Sequence, residues 1–323
     1  MRAALSHFKP LSIDEEHAFG PHFSVTLRRT GHILGACSVQ VALGDLSIVF
    51  SGDLGRYDDP ILHDPTAVRR ADYLVVESTY GDRMHDRIDP AAGLGEIVER
   101  TVARGGTVII PAFAVGRAQS LLYWLRRLKD SGRLGNVPVF LDSPMAVDAS
   151  ELLCRHLQDH RLSEHECRTA CGVATYVRST EDSKALTANP VPKVIISASG
   201  MATGGRVLHH LRHLAPDPRN AIVFTGHQAG GTRGALIIGG ASDVRIFGER
   251  VPIAAEVVAL NSLSAHADAD QLLAWLGAAA AKPSQVYVTH GEPNAADTLR
   301  RRIGIELGWD ASVPEHLQEV TLS

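Results

Sequence analysis

The chain has 323 residues, of which 45% are hydrophobic, and a formal net charge of −4 at pH 7. At roughly 100–200 residues per domain, this length predicts about two domains. The balance of 32 basic and 36 acidic residues excludes a general polyanion-coating surface, so any contact with nucleic acid has to be local. No apolar stretch reaches the ~18 residues of a membrane span or forms a signal-peptide core, and we therefore expect a cytoplasmic protein without membrane contact.

The first predicted elements are strands. Alternating apolar and polar residues predict them at 23–27, 38–41 and 47–50, with a tight turn at Gly44-Asp45 joining the last two. An antiparallel sheet is therefore expected at the start of the fold.

After residue 77, strands alternate with helices. The predicted elements are a helix at 92–103, a strand at 107–110, a helix at 117–129, and strands at 137–140 and 193–196, followed by a helix at 205–214 and strands at 221–224 and 286–289. This alternation indicates βαβ units around a parallel sheet. Residues 161–190 are polar and show no clear period.

Four cysteines, at 37, 154, 167 and 171, contain no C-x-x-C pair. The spacing argues against a structural zinc finger, and we expect reduced, mostly buried thiols.

Five short segments each place a His or a carboxylate among small residues. They are GHILGA around His32, SGDLG around Asp53, ESTYG around Glu77, FTGHQ around His227 and LSAHAD around His266. Such settings are typical of strand ends and tight turns where an ion or a phosphate approaches the backbone. Taken singly, each has a structural alternative, since a lone His is usually structural and Ser-Gly-Asp is usually a turn.

In order and wording, these segments resemble the β-CASP branch of the metallo-β-lactamase fold, which includes RNA-cleaving enzymes related to the pre-mRNA 3′-end endonuclease. The resemblance implies an α/β fold, namely an incomplete metallo-β-lactamase αββα sandwich with an inserted α/β β-CASP cap domain. The implied limits are 1–91 for the first part, 92–222 for the cap and 223–323 for the C-terminal part.

The resemblance also implies a zinc-dependent ribonuclease site with two ions. Asp53 would bridge the ions, and His32 and His266 would each bind one of them, which suits the preference of zinc for imidazole and carboxylate. Glu77 would orient His227, the general acid that protonates the leaving oxygen. His290, in the segment THGE after the last strand, would support the site from outside or form an ordinary turn.

Two further segments are candidates for RNA phosphate contact. The loop 197–206 joins a strand to a helix, and Arg117 begins another predicted helix. The loop residues concerned are Ser199, Gly200, Thr203, Gly204 and Gly205. A plain strand-to-helix turn and a helix-capping arginine remain the alternatives. The histidines at 209, 210 and 213 are expected on a solvated helix face.

One family feature is missing from the sequence. Family members carry a His-x-His-x-Asp-His cluster in their first part, and no two histidines of this chain stand two residues apart. The resemblance therefore implies reduced or absent zinc and impaired activity. A noncatalytic relative that binds RNA or protein is the alternative, and hydrolysis of a small ester is disfavoured by the cap and the Glu77 and His227 segments. RNA is the expected partner, and a homodimer is allowed.

Overall fold

The computed structural model describes residues 5–86 and 88–322, and it contains two compact units. The first unit consists of Met1–Met84 and His266–Ser323, and the second unit of His85–Ala265. The second unit is thus an insertion, contiguous in sequence, between the two halves of the first. Among the described helices, none combines the length and the apolar character needed to cross a membrane.

The first half of the first unit supplies five strands of one sheet. They are β1 (Glu16–Gly20), β2 (Phe23–Arg29), β3 (Cys37–Leu43), β4 (Leu46–Phe50) and β5 (Tyr73–Glu77). Neighbours from β1 to β4 pair antiparallel, and β5 joins β4 in parallel. The predicted turn is confirmed, since Leu43 pairs with Leu46 and Gly44 takes a φ of +59°.

The second unit contains eight described strands. They are β6 (Val108–Pro111), β7 (Val139–Asp142), β8 (Thr175–Tyr176), β9 (Val194–Ser197), β10 (Ala221–Phe224), β11 (Asp243–Ile246), β12 (Glu249–Pro252) and β13 (Glu256–Ala259). Strands β11 and β12 form a separate hairpin, and the others form one sheet in the order β13-β10-β6-β9-β7-β8. All neighbours in this sheet run parallel, which confirms the predicted βαβ pattern.

Helices cover both faces of this parallel sheet. They are α1 (Pro90–Ala103), α2 (Arg117–Asp130), α3 (Pro144–Arg155), α4 (Glu164–Cys171), α5 (Thr180–Ala188), α6 (Val207–Leu214) and α7 (Arg233–Ile238). Residues of β6, β9 and β10 are buried throughout, as their continuous apolar runs require. Val108 and Ile110 pack into one core with α1 and α2, whereas Ile109 packs into another with α6. Alternate strand residues therefore fill two cores.

The chain then returns to the first sheet. Its last elements are α8 (Ala269–Gly277), β14 (Gln285–Thr289), α9 (Pro293–Arg302) and β15 (Ala311–Ser312). Strand β14 lies between β5 and β15, parallel to both. Leu74, Val76, Val286 and Val288 of the paired strands share a buried core with Trp275.

The second unit extends beyond the predicted limit at 222/223. Strand β13 pairs in parallel with β10 and extends the sheet of the second unit, so that unit continues to Ala265. The predicted limit at 91/92 lies a few residues beyond the observed start of the unit at His85.

One histidine of α6 does not lie on the expected solvated face. His209 and His213 are exposed, but His210 is fully buried, with Nε2 2.7 Å from Oδ2 of Asp142 and Nδ1 2.9 Å from the hydroxyl of Thr187. The buried carboxylate of Asp142 gives this ring a polar partner inside the core.

The cysteines depart from the expectation as well. Cys154 at the end of α3 and Cys167 in α4 form a disulfide, and Sγ of Cys171 lies 3.7 Å from Sγ of Cys154. Among the described residues, Cys37 and Cys171 do not take part in a disulfide. Packing of α3 against α4 brings together sulfurs whose spacing in sequence carries no motif.

Candidate active site

Polar side chains gather at one edge of the sheet of the first unit. Asp53 follows β4, Glu77 ends β5, and His290 follows β14. These three strands are parallel neighbours, and β2, which precedes His32, runs in the same direction because two antiparallel pairings separate it from β4. The carboxyl ends of all four strands therefore meet at the same edge. His266 joins them through a bridge to Gly55.

The carboxylate of Asp53 faces two imidazoles. Its Oδ2 lies 3.6 Å from Nε2 of His32, and its Oδ1 lies 3.2 Å from Nδ1 of His290. The Asp53 side chain is 37% exposed, so the carboxylate is open to solvent. Each carboxylate oxygen thus has its own imidazole, which is the arrangement a bridging ligand of two ions needs.

Buried Glu77 and partly buried His266 form a pair beside this group. Nδ1 of His266 lies 3.1 Å and 3.2 Å from the two carboxylate oxygens of Glu77, which also accept hydrogen bonds from the backbone N–H groups of Leu54 and Thr79. Burial raises the pKa of Glu77, but these hydrogen bonds and the charge of His266 outweigh it, so the pKa lies below its ordinary value. Glu77 therefore holds a fixed negative charge.

Two glycines allow the loops that carry His32 and Asp53 to touch. A Cβ on Gly55 would lie 2.1 Å from the carbonyl oxygen of Gly31. Gly31 itself takes a φ of +67°, and its Cβ would lie 2.2 Å from the carbonyl oxygen of His63. Glycine is required at both positions because any side chain would push the two loops apart.

The donor set suits a zinc-type ion. Ligand atoms of His32, Asp53 and His266 lie within 4.8 Å of one another, as do those of Asp53, Glu77 and His290. Imidazole nitrogens and carboxylate oxygens are donors that zinc binds readily. By the chemistry of its side chains, the site fits such an ion.

The sequence was also compared with known proteins. A ribonuclease of Thermus thermophilus, TTHA0252, is 42% identical to the chain over 90% of the chain and 67% of the relative. The model of the Beta-Casp domain also matches the sequence. The chain belongs to the β-CASP family of the metallo-β-lactamase fold. This confirms the predicted fold, with an inserted α/β β-CASP unit.

Two family models match the sequence, the Beta-Casp domain at residues 118–237 and the "Zn-dependent metallo-hydrolase RNA specificity domain" at residues 250–314. The Beta-Casp match lies wholly within the second unit, which is called the β-CASP unit below.

Two archaeal β-CASP relatives come from Methanocaldococcus jannaschii. The transcription termination factor FttA is 30% identical, over 93% of the chain and 51% of the relative. An RNase J-like protein is 31% identical, over 90% of the chain and 68% of the relative. The chain thus spans about two thirds of the ribonuclease and about half of the termination factor.

The carboxylate of Glu77 contacts His266 in the structure, because the bridge to Gly55 places that ring at the end of β5. The predicted pairing of Glu77 with His227 stays a prediction. His227 lies in the β-CASP unit, partly buried in the loop after β10. Its role as a general acid stays a prediction.

The predicted phosphate contacts also lie in the β-CASP unit. In the loop 197–206, the hydroxyl of Ser199 accepts hydrogen bonds from the backbone N–H groups of Thr203 and Gly204, so the loop closes on its own side chain. A Cβ on Gly200 would meet Phe113, and Gly205 takes a φ of +78°. An ordinary strand-to-helix turn explains these features, and phosphate binding by the loop stays a prediction.

Arg117, at the start of α2, is only 8% exposed. Its burial favours the structural alternative over contact with a phosphate, which also stays a prediction.

His290 is closer to the site than the sequence indicated. It was expected as outside support or as a turn residue, and the structure places its ring on Asp53. The signal was present in the sequence, since His290 follows a strand end just as Asp53 does.

Proposed function

We propose that the chain hydrolyses RNA phosphodiester bonds at the cluster of His32, Asp53, Glu77, His266 and His290. The observation that carries the proposal is the position of Asp53, whose two oxygens face different imidazoles beside the pair of Glu77 and His266. RNA as the substrate is supported by the matched RNA specificity domain and by relatives named ribonucleases.

His32, Asp53 and His290 are the residues that would hold zinc. When bound, zinc would neutralise charge on the phosphate and lower the pKa of a water molecule that attacks it. Two donors for each ion are fewer than the three that catalytic zinc usually has, so the predicted weak occupancy remains part of the proposal.

His266 is proposed as the general acid, in place of His227. The ionised carboxylate of Glu77 accepts the Nδ1–H of His266, which fixes the ring and leaves Nε2 to carry a proton to the leaving oxygen. The N–H groups of Leu54 and Thr79 hold the carboxylate in place. His266 was first expected as a metal ligand, and the two roles differ in their effect on bound zinc.

The test measures cleavage of a 5′-labelled single-stranded RNA by the purified chain with added zinc, together with zinc content by mass spectrometry. The substitution Asp53→Ala should abolish both zinc binding and cleavage. His266→Ala should slow cleavage by about 100-fold or more while zinc stays bound. His316→Ala is the matched control, since this histidine is exposed and lies outside the cluster.

Four outcomes are informative. Cleavage that survives Asp53→Ala would overturn the proposal. Loss of zinc in His266→Ala would show that His266 is a zinc ligand. Slow cleavage by His227→Ala would support His227 as the general acid. RNA binding without cleavage, even at saturating zinc, would favour the noncatalytic alternative.

A further inference from the structure

A basic cavity of about 1040 Å³ lies within the β-CASP unit. It is bounded by α5, α6 and the turn of the β11–β12 hairpin. Its charged or titratable lining residues are Lys184, Arg206, His209, Arg212, His213, Arg233 and Arg245, and no carboxylate lines it among the described residues. Its size is that of a site for a small-molecule ligand.

Some of these cations already have partners. Arg206 lies 2.6 Å from buried Asp142, and Arg212 lies 2.8 Å from Glu249. Both charges are therefore largely neutralised by carboxylates of the chain, that of Arg206 in the interior and that of Arg212 at the surface.

Three other cations have no carboxylate partner in the described part of the chain: Lys184, Arg233 and Arg245. Lys184 and Arg245 are exposed, and the guanidinium of Arg233 donates to the backbone carbonyls of Arg245, Ala202 and Thr203. Carbonyl acceptors orient this guanidinium but leave its positive charge uncompensated. The cavity therefore carries an excess of positive charge suited to an anion.

The environment of His209 reports the same excess. Burial lowers the pKa of His209, and the positive charges of His210, His213, Arg212 and Lys184 lower it further. A bound anion would offset this repulsion.

The cavity also has an aromatic wall. Phe247, at the hairpin turn, is 52% exposed, and its ring lies 4.6 Å from that of His209, centroid to centroid, at an angle of 34°. A half-exposed ring beside cations offers a flat surface for a nucleobase, whereas an inorganic anion would leave it unused.

We infer that this cavity binds a nucleoside phosphate, with its phosphate held by Lys184, Arg233 and Arg245 and its base stacked on Phe247. The ligand is either a free nucleotide or one nucleotide unit of an RNA strand. The second source rests on the proposed function; the first is independent of it.

Binding is measured with the full chain carrying Asp53→Ala, in EDTA, so that RNA stays intact and the hydrolytic site does not contribute. Calorimetry uses 5′-AMP and inorganic phosphate, and fluorescence anisotropy uses a labelled single-stranded RNA decamer. The double substitution Lys184→Ala/Arg245→Ala should weaken 5′-AMP or decamer binding by about tenfold or more. The control is Arg155→Ala/Arg168→Ala, which removes two exposed charges elsewhere on the same unit.

Phe247→Ala separates a nucleoside from a bare anion. It should weaken 5′-AMP binding by about fivefold to fiftyfold and leave phosphate binding unchanged. Thermal unfolding by circular dichroism checks that each variant folds.

Binding of the decamer but not of 5′-AMP, lost in both cavity variants, would assign the site to RNA. Equal binding of 5′-AMP and phosphate with no effect of Phe247→Ala would overturn the inference, as would equal losses in the cavity and control doubles. Failure of the chain to cleave RNA would affect none of these results.

Discussion

Asp53 and Glu77 are both carboxylates at strand ends, but their surroundings differ. Asp53 is 37% exposed and faces two imidazoles, whereas Glu77 is 2% exposed and its oxygens accept hydrogen bonds from three donors. An open carboxylate can exchange ligands with an ion, and an enclosed one acts as a fixed charge. The two acids are thus suited to different tasks.

The fixed charge of Glu77 gives the first prediction. Glu77→Gln keeps the size of the side chain but removes the charge beside His266, so RNA cleavage should slow by about 10- to 100-fold with zinc content unchanged. Single-turnover cleavage measures the rate. Glu181→Gln, at an exposed position, serves as the control. A full rate in Glu77→Gln would contradict the assigned pair.

Asp142 gives the second prediction. Its carboxylate is fully buried and accepts hydrogen bonds from Arg206, His210 and Ser183. Asp142→Asn leaves the mostly buried guanidinium of Arg206 without its counter-charge, and the free energy of unfolding should fall by about 3–5 kcal/mol, as measured by urea denaturation.

The same residue predicts a dependence on pH. Burial raises the pKa of Asp142, but the three hydrogen bonds outweigh it, and the pKa falls below its ordinary value of 3.8. The unfolded chain then binds the proton more readily, so this contribution to stability is full above about 3.8 and disappears as pH falls through the lower, folded value. The unfolding free energy of Asp142→Asn should not show this fall at low pH. That of Asp148→Asn, which is changed at an exposed position, should still show it.

At the level of elements, the turn after β2 depends on one glycine. Gly31→Ala introduces a Cβ 2.2 Å from the carbonyl oxygen of His63 at a φ of +67°. We expect a loss of at least about 1 kcal/mol in unfolding free energy and weaker zinc binding, because the His32 loop must move. Gly20→Ala, whose Cβ would meet nothing within 4 Å, should leave both unchanged.

The disulfide between α3 and α4 supplies another prediction. Cys154 and Cys167 are 13 positions apart, and closing such a loop stabilises a fold by about 2–4 kcal/mol. Cys154→Ser should lose about that amount in urea denaturation, and reductant should remove the difference from the unmodified chain. Cys37→Ser is the control. Four reactive thiols in the denatured, unreduced chain would refute the bond.

Elements with a clear hydrophobic pattern could be predicted from the sequence, and weakly patterned ones could not. The strand predicted at 221–224 is observed as β10, and the helix predicted at 117–129 as α2. For residues 161–190 the sequence indicated only helix plus loop, because α4, α5 and the two-residue β8 show no clear period. One signal was present: Ser163 and Glu166 form a capping box that begins α4.

At the scale of the whole molecule, the division into two units can be tested with fragments. Residues 85–265 contain all strands of the parallel sheet and both of its cores, so this fragment should unfold cooperatively by itself. The shorter fragment 92–222 ends inside β10 and lacks α7 and β11 to β13. One edge of the shortened β10 is then unpaired and Ile222 is exposed, so this fragment should aggregate. Equal stability of the two fragments would contradict the observed boundary.

The sequence did not determine which distant residues contact each other in the site. The segments around Asp53, Glu77 and His266 could be identified as special, but neighbours depend on strand order. Insertion of β14 beside β5 brings His290 to Asp53, and the bridge to Gly55 brings His266 to Glu77. No local pattern contains this information, which is why the sequence did not pair His266 with Glu77 or His290 with Asp53.

The order of the chain also determines when the site can form during translation. His266 follows Glu77 by 189 positions, and a ribosome adding ~5–20 residues per second needs roughly 10–40 s to cover that interval. The β-CASP unit, which is contiguous in sequence, has time to fold before β14 is synthesised and can pair with β5. Until then the nascent polypeptide displays an unfinished strand edge, which is the kind of surface that chaperones at the ribosome protect.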